Sequence, residues 1–173
     1  QGNTVRSVVF ESKEGRKAIL AKVVVDCTGD GDMFSRAGAP STTDIDPDDV
    51  HHCMNTSWLF GGVDMVRWLE FRASQPSQFS EFTRRGRERL GLFERPFVSW
   101  RNDVALFMGP RQTGYSGLSV EELTEVEVRS HRLMAQHLDY FRANAPGFEN
   151  AFMMLSEPQL GVRNTRRLVG VKA

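Results

Sequence analysis

The sequence is short of the residues that build cross-links and metal cages. Among 173 residues there are 2 cysteines and 4 histidines. Cys27 and Cys53 are too few for a disulfide framework, so a reducing compartment, the cytoplasm, is the expected location. Net charge is also missing, since Lys+Arg and Asp+Glu are 22 each. A neutral chain has no electrostatic footprint of a nucleic-acid binder, and no nucleic-acid partner is expected. Long apolar runs are absent too. The longest are a handful of residues, against the roughly 18 or more of a membrane span. The opening Gln1-Gly2-Asn3-Thr4 has neither an initiator Met nor a signal-peptide pattern. The chain enters and leaves in strand-like runs, and the expectation is that it is a fragment.

What is present is ordinary globular material. Hydrophobic residues at 40% and charged residues at 25% exclude a disordered or collagen-like chain. Residues 5–12 are rich in β-branched side chains and precede Lys13-Glu14-Gly15, and Lys17–Ala21 comes next, which predicts a β-hairpin. Val23-Val24-Val25, without alternation, predicts a strand buried on both faces, ending at Gly29-Asp30-Gly31-Asp32. A short helix over 33–37 and a polar loop over 41–50 come after it. Residues 51–60 alternate as a strand with Met54, Thr56, Trp58 and Phe60 on one face. Asp64 should cap a helix carrying Val66, Trp68, Leu69 and Phe71, and Pro76 suits the first turn of another, ending near Gly91. Residues 104–108 predict a strand. Ser119 and Glu122 have capping-box spacing and should open a long helix to about Ala143. Phe152–Leu155 is apolar and fits helix or strand.

Charge is segregated along the chain. Residues 26–50 carry seven Asp against one Arg, whereas residues 158–173 carry Arg163, Arg166, Arg167 and Lys172 with no acid. Such clusters either meet in the fold or face a charged ligand. A pair with the acidic region is the plain reading for each of these arginines.

The segment Val23-Val-Val-Asp-Cys-Thr-Gly-Asp-Gly-Asp32 is the most informative. Glycine lacks a Cβ, so Gly29 and Gly31 leave room for another group to approach the backbone, and ligands of open α/β sheets sit beyond the carboxyl ends of strands. Read alone, the segment is as readily a tight turn with no ligand. Hairpin, strand, Asp26-Cys-Thr-Gly-Asp-Gly-Asp32 and Ala37-Gly-Ala-Pro40 together resemble the FAD-dependent oxidoreductases of the two-dinucleotide-binding-domain type, fumarate-reductase- and glutathione-reductase-like. There an Ala-Thr-Gly strand end contacts the flavin nucleotide, and Cys27 stands where Ala is usual. Gly161-Val-Arg-Asn-Thr-Arg-Arg-Leu-Val-Gly170 resembles a second segment of that family, with Asn164 in place of its usual Glu.

The resemblance implies a mixed α/β fold. Residues 1–40 would be a partial Rossmann-like FAD-binding lobe with a β-meander, 41–157 a mixed α+β substrate-side lobe, and 158–173 a return to the first lobe. It implies FAD as cofactor, with Thr28, Gly29, Asp30, Gly31 and Asp32 as binding positions and Arg163, Arg166 and Arg167 near the flavin or an anionic substrate. It implies hydride transfer between a small organic substrate and FAD, with no catalytic base assigned. The rival is a non-catalytic α/β binding or interaction domain that keeps the fold.

Other motifs carry less. Gly29-Asp-Gly-Asp32 is similar to a phosphatase metal loop, but no nucleophilic Asp strand lies upstream. Asp44-x-Asp46-x-Asp48 opens like an EF-hand loop, but has Asp49 where Gly is required and Asn55 where the bidentate Glu belongs. His51, His52 and Cys53 are adjacent on a predicted strand and would point to opposite faces. No metal site is expected. The run Arg84-Arg-Gly-Arg-Glu-Arg89 reads as a solvated helix face.

The Gly-x-Gly-x-x-Gly turn that grips an FAD pyrophosphate is not found here, nor is the family's closing segment. The 173-residue chain on its own should therefore bind FAD weakly or not at all. Gel filtration after mixing with FAD tests this: co-elution of a yellow flavin band with the chain refutes it.

Overall fold

The computed structural model describes residues 4–43, 46–163 and 165–170. Along the chain come β1 (Ser7–Ser12), β2 (Gly15–Leu20), α1 (Asp32–Arg36), β3 (Ser41–Thr42) and a 3-10 turn at Val50–His52. Then come β4 (Met54–Asn55), β5 (Trp58–Gly61), α2 (Met65–Ser74), α3 (Pro76–Leu90), β6 (Phe97–Val98) and β7 (Val104–Phe107). The chain continues with α4 (Val120–Asn144), β8 (Phe152–Ser156), β9 (Gly161–Val162) and β10 (Arg167–Leu168). The fold is mixed α/β with antiparallel sheets.

Two compact units emerge, Gln1–Asp44 with Asn164–Ala173, and Ile45–Arg163. Strand pairing agrees with this division. Ser41 and Thr42 pair with Leu168 and Arg167, which keeps β3 in the first unit. Gly161 and Val162 pair with Asn55 and Met54, which keeps β9 in the second.

In the first unit β1 and β2 form the expected hairpin, in register Ser7↔Leu20 through Ser12↔Gly15. Gly15 takes φ 99°, a left-handed value that side chains resist. The Val-rich strand does not form: residues 22–28 have no strand structure. Val23 and Val25 are 78% and 76% exposed. An all-apolar run signals burial on both faces, but a strand also needs neighbours to bond with, and none of the described residues pairs with it. The expected helix does form, as α1.

The second unit is built around a four-stranded antiparallel sheet of order β6-β7-β5-β8. The expected strand over 51–60 is interrupted: the 3-10 turn takes its start, and β4 and β5 are separated at Thr56-Ser57. Phe152–Ser156 resolves as strand, paired to β5 with a register shift between Leu59 and Phe60. Capping signals hold. The Asp64 carboxylate accepts from Arg67 N at 3.0 Å, Pro76 opens α3, and Ser119 Oγ accepts from Glu122 N at 3.2 Å. The buried face of α2 is Met65, Trp68 and Phe71, while Val66 and Leu69 are exposed.

Helices and sheet share one aromatic core. The Trp68 ring lies 5.4–5.9 Å from Phe71, Phe79, Phe82, Phe141 and Phe148. Each such aromatic pair adds about 0.5–1.5 kcal/mol beyond area burial. Gly147 (φ 91°) lets the loop after α4 press on α2; a Cβ there would meet Asp64 O at 2.3 Å.

His137, fully buried on α4, is a polar residue among these rings. Nδ1 lies 2.7 Å from Leu133 O, and Nε2 accepts from Glu94 N at 3.0 Å. That accepting role requires a neutral ring with its proton on Nδ1. Burial lowers its pKa to about 4, against the backbone bond to Leu133 that raises it. A depressed histidine pKa means the unfolded chain takes up the proton first. Stability is therefore full above the ordinary value near 6.5 and drains as pH falls towards 4. Urea unfolding at pH 7 and pH 4 should show the wild type losing about 3 kcal/mol more than His137→Gln over that interval. Equal losses in the two proteins would remove His137 as the cause.

Candidate functional site

The loop after residue 25 is organised by one carboxylate. Asp26 Oδ1 accepts from Thr28 N at 2.9 Å and from the Thr28 hydroxyl at 2.7 Å. Asp26 Oδ2 accepts from Phe34 N at 2.8 Å. These bonds, from the Thr28 hydroxyl first and then the Phe34 amide, hold its pKa below the ordinary carboxylate value. Thr28 Oγ1 in turn accepts from Asp32 N at 2.9 Å. Asp26 and Thr28 together thus satisfy the amides of Asp32 and Phe34, two of the orphan donors at the start of α1. Sequence reasoning missed Asp26 by assigning it to a strand; Asp two residues before Thr is an Asx-turn signature that could have revealed it.

The turn itself is nearly bare. Thr28, Gly29 and Asp30 are exposed, and a Cβ built on Gly29 meets nothing within 4 Å. Gly31 differs. It is buried, takes φ 65°, and a Cβ there would strike the Phe34 ring at 2.1 Å. One glycine leaves outside space open, and the other is needed by the turn.

The tail reaches this loop. Arg166 Nη1 donates to Asp30 O at 2.9 Å and to Asp32 Oδ1 at 2.8 Å, with its side chain 20% exposed. Thr165 Oγ1 donates to Asp30 Oδ1 at 2.8 Å. The segregated charges therefore meet, and Arg166 is committed to the acidic loop. Arg167 lies on β10 opposite Thr42 and is exposed. Arg163 ends the second unit and is exposed. Asn164 and Asp44 lie outside the described residues.

A family model for FAD dependent oxidoreductase matches residues 1–173, the whole chain. The chain belongs to that family. No curated protein and no solved structure matches it. The family's cofactor is FAD, and the loop residues fit part of it. An exposed, side-chain-free Gly29 accepts close approach of a flat or extended ligand. Carboxylates at Asp30 and Asp32 with a single guanidinium among them suit hydroxyl donors better than phosphates, which they would repel.

Among the described residues no group of three or more His, Cys, Asp or Glu is placed to hold a metal ion, and no helix is long and apolar enough to cross a membrane. His52 and Cys53 are buried and His51 is exposed. The Arg84 and Arg85 guanidiniums pair with Glu81 on their own helix, and Arg84 also with Glu88.

The two glycines make opposite predictions. Gly31→Ala should destabilise the loop by about 1–2 kcal/mol, the cost of a left-handed alanine, with faster hydrogen exchange at the Asp32 and Phe34 amides. Gly29→Ala should leave both amides as protected as in the wild type. Similar exchange in the two variants contradicts this geometry.

Proposed function

We propose that this chain contributes to a flavin-dependent oxidoreductase that moves a hydride between a small organic substrate and FAD, with residues 28–32 forming part of the cofactor's seat. The first unit would then belong to a Rossmann-like FAD-binding lobe and the second to a substrate-side lobe. The observation that carries this reading is the open backbone at Gly29, held in place by Asp26 from below and by Arg166 from the tail.

FAD, when bound, supplies the hydride acceptor. The chain's own residues supply position. Thr28 and Gly29 would present backbone to the cofactor, and Asp30 would offer carbonyl and carboxylate acceptors to its hydroxyls. Asp32, tied by Arg166, would hold the turn's shape rather than reach outward. Gly31 keeps the left-handed turn that the approach requires. Arg166 is a positioning residue in this scheme. Arg163 and Arg167 stay as candidates for an anionic substrate, because a guanidinium grips a carboxylate bidentately.

The test measures FAD binding by the protein that carries this chain. Gly29→Val should weaken FAD binding at least about tenfold, a change of about 1.4 kcal/mol, while leaving the thermal midpoint of the apoprotein unchanged. FAD affinity equal to wild type would overturn the seat at residues 28–32. A purified full-length product that never carries flavin would favour the rival, a non-catalytic interaction domain.

A further inference from the structure

The second unit has a cavity of about 460 Å³ where α2, α3 and the segment leading into β6 meet, within the range of small-molecule sites, roughly 300–1,000 Å³. Its walls include Trp68 and Phe79, with Phe97 at the rim, and Arg72 and Arg95 beside them. Two features show that this wall is held. Arg95 lies over the Phe79 ring, 6.0 Å from its centroid, so its guanidinium is kept near an aromatic surface with its N–H edge still able to donate. The segment carrying Arg95 is anchored to the core, because Glu94 N donates to His137 Nε2 and the Phe93 ring stacks on His137 at 5.6 Å and 16°.

The charge of the cavity is uneven. Among the described residues neither Arg72 nor Arg95 has a carboxylate within ion-pair distance. By contrast, the neighbouring Arg84 pairs with Glu81 and Glu88, and Arg85 with Glu81. Glu94 adds one carboxyl to the lining; burial pushes its pKa up, against a backbone bond from Arg95 and the charges of Arg111 and Arg95 that lower it. Two guanidiniums over aromatic and apolar walls, against one carboxylate already shared, match an anion with a flat apolar body.

We propose that this cavity is a binding site for a small aryl carboxylate, its ring against Phe79 and Phe97 and its carboxylate on Arg72 and Arg95. The site is independent of the flavin seat, since it is built wholly from the second unit. Backbone-amide NMR titration of the chain with benzoate, and with benzamide as the uncharged isostere, tests it. Benzoate should shift the Arg72, Phe79, Glu94, Arg95, Phe97 and Val98 amides and bind about tenfold more tightly than benzamide, as charge-assisted recognition requires. Arg72→Gln and Arg95→Gln should each weaken benzoate about three- to tenfold and leave benzamide unchanged, whereas Glu94→Gln should strengthen benzoate. Equal binding of the two probes, benzoate affinity indifferent to both arginine variants, or no shifts at millimolar benzoate would each overturn the site.

Discussion

The first unit depends on the Asp26 carboxylate. A turn whose outer surface is exposed still has amides that need acceptors. Asp26 meets that need from inside. It takes the Thr28 amide and hydroxyl on one oxygen and the Phe34 amide on the other. Thr28, oriented by that bond, takes the Asp32 amide. The left-handed Gly31 is a consequence of this wiring, because the chain must reverse between Thr28 and Asp32 to satisfy both. Arg166 then closes the far side through Asp30 and Asp32. Loop and tail, more than 130 residues apart, are mutually ordered, and neither is a spectator of the other.

The second unit answers a different constraint. Its core is mostly aromatic, and aromatic rings pack by geometry as well as by area. Placing His137 among them demands that both ring nitrogens be used and that the ring stay neutral. The fold does this by feeding it the Glu94 amide. A polar residue thus pins the connection between α3 and β6, which is why that connection is part of a wall and not a loose loop.

What could be read from sequence was local. Asp64, Pro76, Ser119 and Gly91 act within a turn of where they stand, so their capping roles were legible without knowing the fold. The meeting of acidic loop and basic tail was legible as charge segregation, though the pairing of Arg166 in particular with Asp32 was not. The valine run failed for the opposite reason. Three valines report what surrounds a segment, and a strand exists only when a neighbour supplies the ladder. Asp26 escaped notice because a carboxylate placed at the end of a strand is not thought of as a cap for the next helix. On α4 the buried Ser130 and His137 were not legible, because polar residues on a buried face become visible only when their partners are known.

Family membership and loop geometry constrain each other. The family establishes FAD; were residues 28–32 its seat, as proposed, the acids at positions 26, 30 and 32 would limit which part of FAD this loop could face. A pyrophosphate beside these carboxylates would meet repulsion that one partly buried guanidinium, already bonded to two of those residues, does not offset. Hydroxyl groups meet no such penalty, because an ionised carboxylate accepts and never donates. The same reasoning separates the arginines. Arg166 is engaged within the loop through Nη1, so guanidiniums without such partners are better placed to recognise an anion. In the second unit Arg72 and Arg95 are two such, beside aromatic rings and with Glu94 as the one acid of their cavity. Charge pairing, more than charge count, decides which arginines of a neutral chain are left to bind anything.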